Sequence, residues 1–163
     1  MTREERLTRT DRMRYTKDTL ASSLVLVAIA LDALYFVSIY NSDVGSYYYT
    51  LQIGASIIYN LVFMLVAFLC SEGVKNRLKG YWAALIAIGA MQFVRVFYLP
   101  TLAHEAFVTI KGEQIQVMED GQYIYVVACL VISGLCCLAA AAISYVNNRT
   151  LSRYLRELET QTH

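Results

Sequence analysis

Tyr123-Ile-Tyr-Val-Val-Ala-Cys-Leu-Val-Ile-Ser-Gly-Leu-Cys-Cys-Leu-Ala-Ala-Ala-Ala-Ile-Ser-Tyr-Val146 carries no charge from end to end. A helix needs about 20 mostly apolar residues to cross a hydrocarbon core about 30 Å thick. This stretch meets that length, and Leu20–Tyr40, Leu51–Cys70 and Tyr81–Leu99 match it. Hydrophobic residues make up 57% of the chain and charged residues 17%, against about 25% charged in soluble proteins. The apolar residues are gathered into runs, which separates a membrane chain from a soluble one with a large core. The expected fold is an all-α membrane protein, a four-helix transmembrane bundle with spans at 20–40, 51–70, 81–99 and 123–146. Residues 1–19 form a basic N-terminal segment, 100–122 a long outer loop and 147–163 an amphipathic tail. No length remains for a second globular domain.

The net charge of +1 says little, but its distribution sets the threading. Arg3, Arg6, Arg9, Arg12, Arg14 and Lys17 precede the first span, Lys75, Arg77 and Lys79 follow the second, and Arg149, Arg153 and Arg156 follow the fourth. Of the 14 basic residues, only Lys111 and Arg95 lie elsewhere. Basic residues near span ends stay cytoplasmic, so both termini are expected inside a plasma (inner) membrane of bacterial type. The 41–50 and 100–122 segments then face outward. The N-terminal segment holds Glu4, Glu5, Asp11 and Asp18, and the first apolar run exceeds the 7–15 residues of a signal core, so span one reads as a retained anchor. The arginines add attraction to anionic headgroups. No aromatic platform accompanies them, and nucleic acid is not an expected partner.

Tyr40, Tyr47, Tyr48, Tyr49, Phe97, Tyr98, Tyr123 and Tyr125 read as an outer interfacial belt, with Tyr81, Trp82 and Tyr145 as the inner one. In the outer loop, Val108–Val117 alternates, and Gly112-Glu113 suits a two-residue turn. That register pairs Val108 with Val117 and Ile110 with Ile115 on one face of a small extracellular β-hairpin between helices 3 and 4. The hairpin must lean on the bundle or on a partner, because an isolated one is marginal in water. Pro100 is expected to bend or stop the third helix. Leu151, Tyr154, Leu155 and Leu158 recur at helical spacing in the tail, a face for the inner leaflet or another chain.

Ionisable groups within spans are costly and therefore functional candidates. Asp32 in span one and Arg95 in span three are placed for an ion pair in the outer half of the bundle. Polar side chains gather at the same level: Tyr35 on span one, Gln52, Ser56, Tyr59 and Asn60 on span two, Gln92 and Tyr98 on span three. The layer reads first as interhelical hydrogen bonding that sets the packing, and second as an outward-opening polar pocket for a small solute or ion. Ala139–Ala142 would let helices approach closely in the aliphatic inner half.

No catalytic signature emerges. His104 and His163 are too few and too peripheral for haem ligation, and no CxxC, HExxH or Gly-rich phosphate loop occurs. Cys70, Cys129, Cys136 and Cys137 read as small packing residues within or at the ends of spans. His104, Glu105, Glu119 and Asp120 read as solvated loop charges. No metal and no cofactor are expected. The expected function is that of a non-enzymatic accessory or interaction subunit of a larger membrane transport complex, with a membrane-protein partner or a homo-oligomer. The alternative is a small-solute or ion transporter using the layer around Asp32 and Arg95.

Overall fold

A computed structural model of the chain describes residues 4, 5, 7, 9, 17–40, 50–110 and 113–160; within these, the side chains at 40, 50–53, 108, 110, 113, 115, 158 and 159 lie outside the description. Helices α1 (Thr19–Tyr40), α2 (Thr50–Lys75) and α3 (Tyr81–Glu105) are followed by strands β1 (Phe107–Ile110) and β2 (Glu113–Gln116) and by helix α4 (Asp120–Thr160). All four helices are long and apolar enough to cross a membrane. They form a ring in which α4 packs extensively on both α1 and α3, α1 packs on α2, and the α2–α3 seam is the loosest.

Small residues interleaved with a few large ones fill the inside of the bundle, and many large aliphatics point outward. One core cluster lies toward the 76–80 turn, with Ala21, Val25, Ala28, Phe63, Ala67, Cys70, Leu85, Cys137 and Ala140 buried together. The other lies toward the β-hairpin, around Tyr35, Ile39, Ala103, Met118, Val126 and Leu130. Leu26, Leu34, Leu65, Phe68, Val94 and Ile132 point outward and are exposed. Water would penalise so much apolar surface, whereas acyl chains do not. The polar layer lies between the two core clusters.

Several helix ends differ from their sequence expectation. Helix α3 does not stop at Pro100 but continues to Glu105. Proline lacks the N–H that would bond the carbonyl four residues earlier. Here that carbonyl, on Val96, accepts instead from Thr101 Oγ1 at 3.0 Å, so the freed acceptor is satisfied and the helix persists. The connection between α3 and α4 is correspondingly shorter than 100–122. Helix α4 runs unbroken through 147–160.

The hairpin register also differs. Phe107 pairs with Gln116, Val108 with Ile115, Thr109 with Gln114 and Ile110 with Glu113. Glu113 therefore lies in the ladder, opposite Ile110, rather than in the turn, and the expected Val108–Val117 and Ile110–Ile115 pairs do not form. Val117 is instead drawn into the bundle, its N–H donating to the Ala106 carbonyl at 3.0 Å, while it packs beside buried Met118. That bond continues the same ladder by one rung beyond Phe107–Gln116.

Of the alanine run, Ala140 and Ala141 are buried in the core, and a tight helix contact is found earlier on the same helix. It occurs at Gly89 and Gly134, where α3 and α4 cross. A Cβ at Gly134 would stand 2.9 Å from the Phe93 ring and 3.1 Å from the Gly89 carbonyl oxygen.

The turn end is closed by hydrogen bonds. Leu78 N–H donates to Gly73 O at 2.9 Å and Arg77 N–H to Val74 O at 2.9 Å, the paired bonds of a Schellman motif, with Arg77 left-handed at φ 53°. Asp18 is buried beside it. Its Oδ1 accepts from Ala21 N–H at 3.2 Å, capping α1, its Oδ2 accepts from Asn147 Nδ2 of α4 at 2.6 Å, and its own N–H donates to the last carbonyl of α2, Lys75 O, at 3.1 Å. The start of α1, the end of α2 and the middle of α4 thus meet at one residue. Asp18→Ala is expected to cost about 1–2 kcal/mol through the lost cap and the unpartnered amide. Asp18→Asn should keep most of that, since asparagine caps nearly as well. Melting of the purified protein in detergent checks both, and an unchanged midpoint for the alanine variant would refute the role.

Candidate functional site

All four helices contribute to the polar layer. Asp32 of α1 is fully buried, and its Oδ1 accepts from Arg95 Nη1 of α3 at 2.7 Å and from Gln92 Nε2, one turn earlier on α3, at 3.0 Å. Arg95 Nη1 also lies 3.4 Å from Gln92 Oε1, and Nη2 donates to Asn60 Oδ1 of α2. Gln92 Nε2 reaches Ser133 Oγ of α4 at 3.4 Å, and that hydroxyl donates to the Ala28 carbonyl of α1 at 3.0 Å. The path therefore runs around the bundle and closes on α1.

The guanidinium is also held by its faces. Its central carbon lies 4.2 Å from the Tyr35 ring centroid and 4.8 Å from that of Tyr59, the geometry of cation–π attraction. A planar, delocalised cation suits such a slot; an ammonium does not. The two charges meet at one level, with Arg95 Nη1 2.7 Å from Asp32 Oδ1. Asp32 lies eight residues before the end of α1 and Arg95 ten before the end of α3, about 12 and 15 Å at 1.5 Å per residue.

A cavity of about 280 Å³ opens between α2 and α3 beside this layer. Ser56, Tyr59, Arg95 and Tyr98 supply its polar wall, with Met91 and Val94 among the apolar groups. Its rim lies along the flank of the bundle, where Met91, Val94 and Tyr98 are exposed. The expected outward-opening pocket is thus a lateral groove, a consequence of the loose α2–α3 seam. Ser56 is 5% exposed and its Oγ has no hydrogen-bond partner among the described residues. Asn60 Nδ2, one turn along the same face of α2, and Asp32 Oδ2 are likewise buried without one.

The layer thus gathers Asp32, Tyr35, Ser56, Tyr59, Asn60, Gln92, Arg95 and Tyr98; the side chain of Gln52 lies outside the described residues. So do those of Val108, Ile110, Ile115 and Leu158, named for partner contact. Val117 is half-buried against the hairpin-end core. Leu151 and Tyr154 are half-buried and Leu155 is exposed on the projecting part of α4. Ser133 and Asp18 were not singled out by sequence reasoning. A serine in a charge-free run and an aspartate just before the first helix were the available signals.

The loop charges are partly ordered. His104 stacks on Tyr123 with ring centroids 4.4 Å apart, its Nδ1 lies 3.1 Å from Gln116 Nε2, and its Nε2 is 3.8 Å from Asp120 Oδ1. Among the described residues, no group of three or more His, Cys, Asp or Glu could hold a metal ion. The four cysteines are free.

No known protein family, curated protein or solved structure matches the chain. The site's meaning therefore rests on its own geometry. Its charges cancel one another, every helix is tied to it, and what remains open toward the groove is a set of hydroxyls beside a neutralised guanidinium.

Proposed function

We propose that this chain is a non-enzymatic, multi-pass subunit of a larger membrane assembly, one that supplies a stiff module and a helical arm rather than chemistry. The observation that carries the reading is α4. At 41 residues it measures about 60 Å at 1.5 Å per residue, twice the hydrocarbon thickness of a bilayer. The part beyond Asn147, which is tied to Asp18 of the bundle, must therefore project, and it carries Leu151, Tyr154 and Leu155 beside Arg149, Arg153 and Arg156. A rigid projecting arm with an apolar stripe and basic flanks suits a partner's helix.

The ion pair supports the same reading. A carrier that moves protons or cations is better served by an unpaired acid, and Asp32 is bound by Arg95 and Gln92. The positive-inside pattern places both termini and the arm in the cytoplasm and the hairpin outside, in a plasma membrane of bacterial type.

Mild detergent extraction of the native membrane followed by affinity purification tests this directly. The expected result is a partner at fixed stoichiometry that is lost on deleting 149–163, which leaves the Asn147–Asp18 bond in place, while the remaining bundle stays monodisperse. If the full chain purifies alone, and liposomes holding it move a solute in a way that Asp32→Asn abolishes, a carrier function replaces the subunit reading.

A further inference from the structure

We infer that the α2–α3 groove is a binding site for an uncharged amphiphile, a molecule with one hydroxyl or carbonyl head and an apolar chain that enters sideways from the bilayer. The inference rests on the bilayer placement proposed above but not on the existence of a protein partner.

The first observation is a shape. The groove holds about 280 Å³, below the volume of a drug-sized pocket but ample for a small head group and the first part of a chain. Its rim residues Met91, Val94 and Tyr98 face outward along the helix flank, so entry is from lipid rather than along the bundle axis.

The second is an unmet hydrogen bond. A serine hydroxyl within a helix normally satisfies itself on a carbonyl of the preceding turn. Ser56 Oγ lines the groove, is buried and has no partner among the described residues. Burying such a group without a partner is unfavourable, most of all where no water is at hand. A ligand oxygen would supply the missing bond.

The third is electrical. Among the described residues, Arg95 is the one charged group lining the groove, and its charge is already matched by Asp32 at 2.7 Å. A carboxylate or phosphate entering here would meet a guanidinium whose named nitrogens donate to Asp32, Gln92 and Asn60, with the Asp32 charge close behind it. An ammonium would meet that guanidinium with no carboxylate in the lining. The polar groups left over are the hydroxyls of Ser56, Tyr59 and Tyr98, which donate and accept. They fit a neutral oxygen head.

The test uses the full chain in phosphatidylcholine nanodiscs and a twelve-carbon alcohol bearing a photoactivatable diazirine on its chain. Saturable labelling of residues 55–60 and 91–99 is expected, read by peptide mass spectrometry. Dodecanol should compete at least fivefold better than dodecane, dodecanoate or dodecyltrimethylammonium. Ser56→Ala removes only a hydroxyl without a protein partner, so the bundle should stay folded while affinity for the alcohol falls about fivefold, the worth of one hydrogen bond. Ala55→Trp, at the exposed lip of the groove, should abolish saturable labelling, and Leu65→Trp on another outward face should not. Labelling that does not saturate, or that dodecane competes equally, identifies ordinary boundary lipid and overturns the site. Equal competition by dodecanoate overturns the neutral-head assignment, as does a Ser56→Ala protein that binds unchanged. Failure of the chain to enter nanodiscs at all would instead remove the bilayer placement on which the site depends.

Discussion

Arg95→Met is expected to destabilise the bundle by about 3–5 kcal/mol, the cost of leaving a buried charge without its partner. Arg95 is 6% exposed and Asp32 fully buried. Methionine roughly replaces the arginine stem but deletes donors to Asp32, Gln92 and Asn60 and both ring contacts. The cost falls mainly on Asp32, whose Oδ2 already has no partner among the described residues. Neutralising both members should therefore recover much of the loss. Asp32→Asn keeps an oxygen for Gln92 and removes the orphaned charge, so the Asp32→Asn/Arg95→Met double variant should be more stable than Arg95→Met alone. Unfolding by sodium dodecyl sulfate in mixed micelles, followed by circular dichroism, gives the three free energies. If the double variant loses the sum of the two single losses, the groups are not coupled, and the ion pair is incidental to folding.

The second large effect is steric. Gly134→Val should cost about 3 kcal/mol, at the upper end for overpacking a close helix crossing. The added carbons would meet the Phe93 ring and the Gly89 carbonyl at sub-contact distances. Relieving them means separating α3 from α4, the most extensive helix pair in the bundle. Gly54 provides the contrast, since a Cβ there meets nothing within 4 Å. Gly54→Ala should be neutral or raise stability by up to about 1 kcal/mol through helix propensity. The same detergent titration reads both, and a Gly134→Val protein as stable as the parent would disprove the close crossing. The strain should also propagate, because Ser133 is the adjacent residue and bridges Gln92 to Ala28.

Much of the polar layer could be read from residue spacing alone. Ser56, Tyr59 and Asn60 share one face of α2 by helical period, as Gln92, Arg95 and Tyr98 do on α3, and any bundle that buries those faces brings them to one level. What spacing could not supply was the contribution of α4. Ser133 sits in a stretch without charge, and its role depends on the rotation of α4 against α1 and α3. The groove was equally hidden, because it arises where α2 and α3 pack least, a property of neighbours rather than of either helix. The end of α3 was misread for a local reason: Pro100 forbids one hydrogen bond, but the hydroxyl that replaces it comes from the next residue, Thr101.

The number of membrane-length helices, their order and their polar faces follow from the chain taken one run at a time, because whether a segment suits hydrocarbon depends on its own length and side chains. Which groups meet is a different kind of fact. The closing of Asp32 on Arg95, Gln92 on Ser133 and Asp18 on Asn147 and the crossing at Gly89 and Gly134 all join residues far apart in the chain. Their distances depend on how four helices rotate to fill shared space, and only the folded bundle decides that.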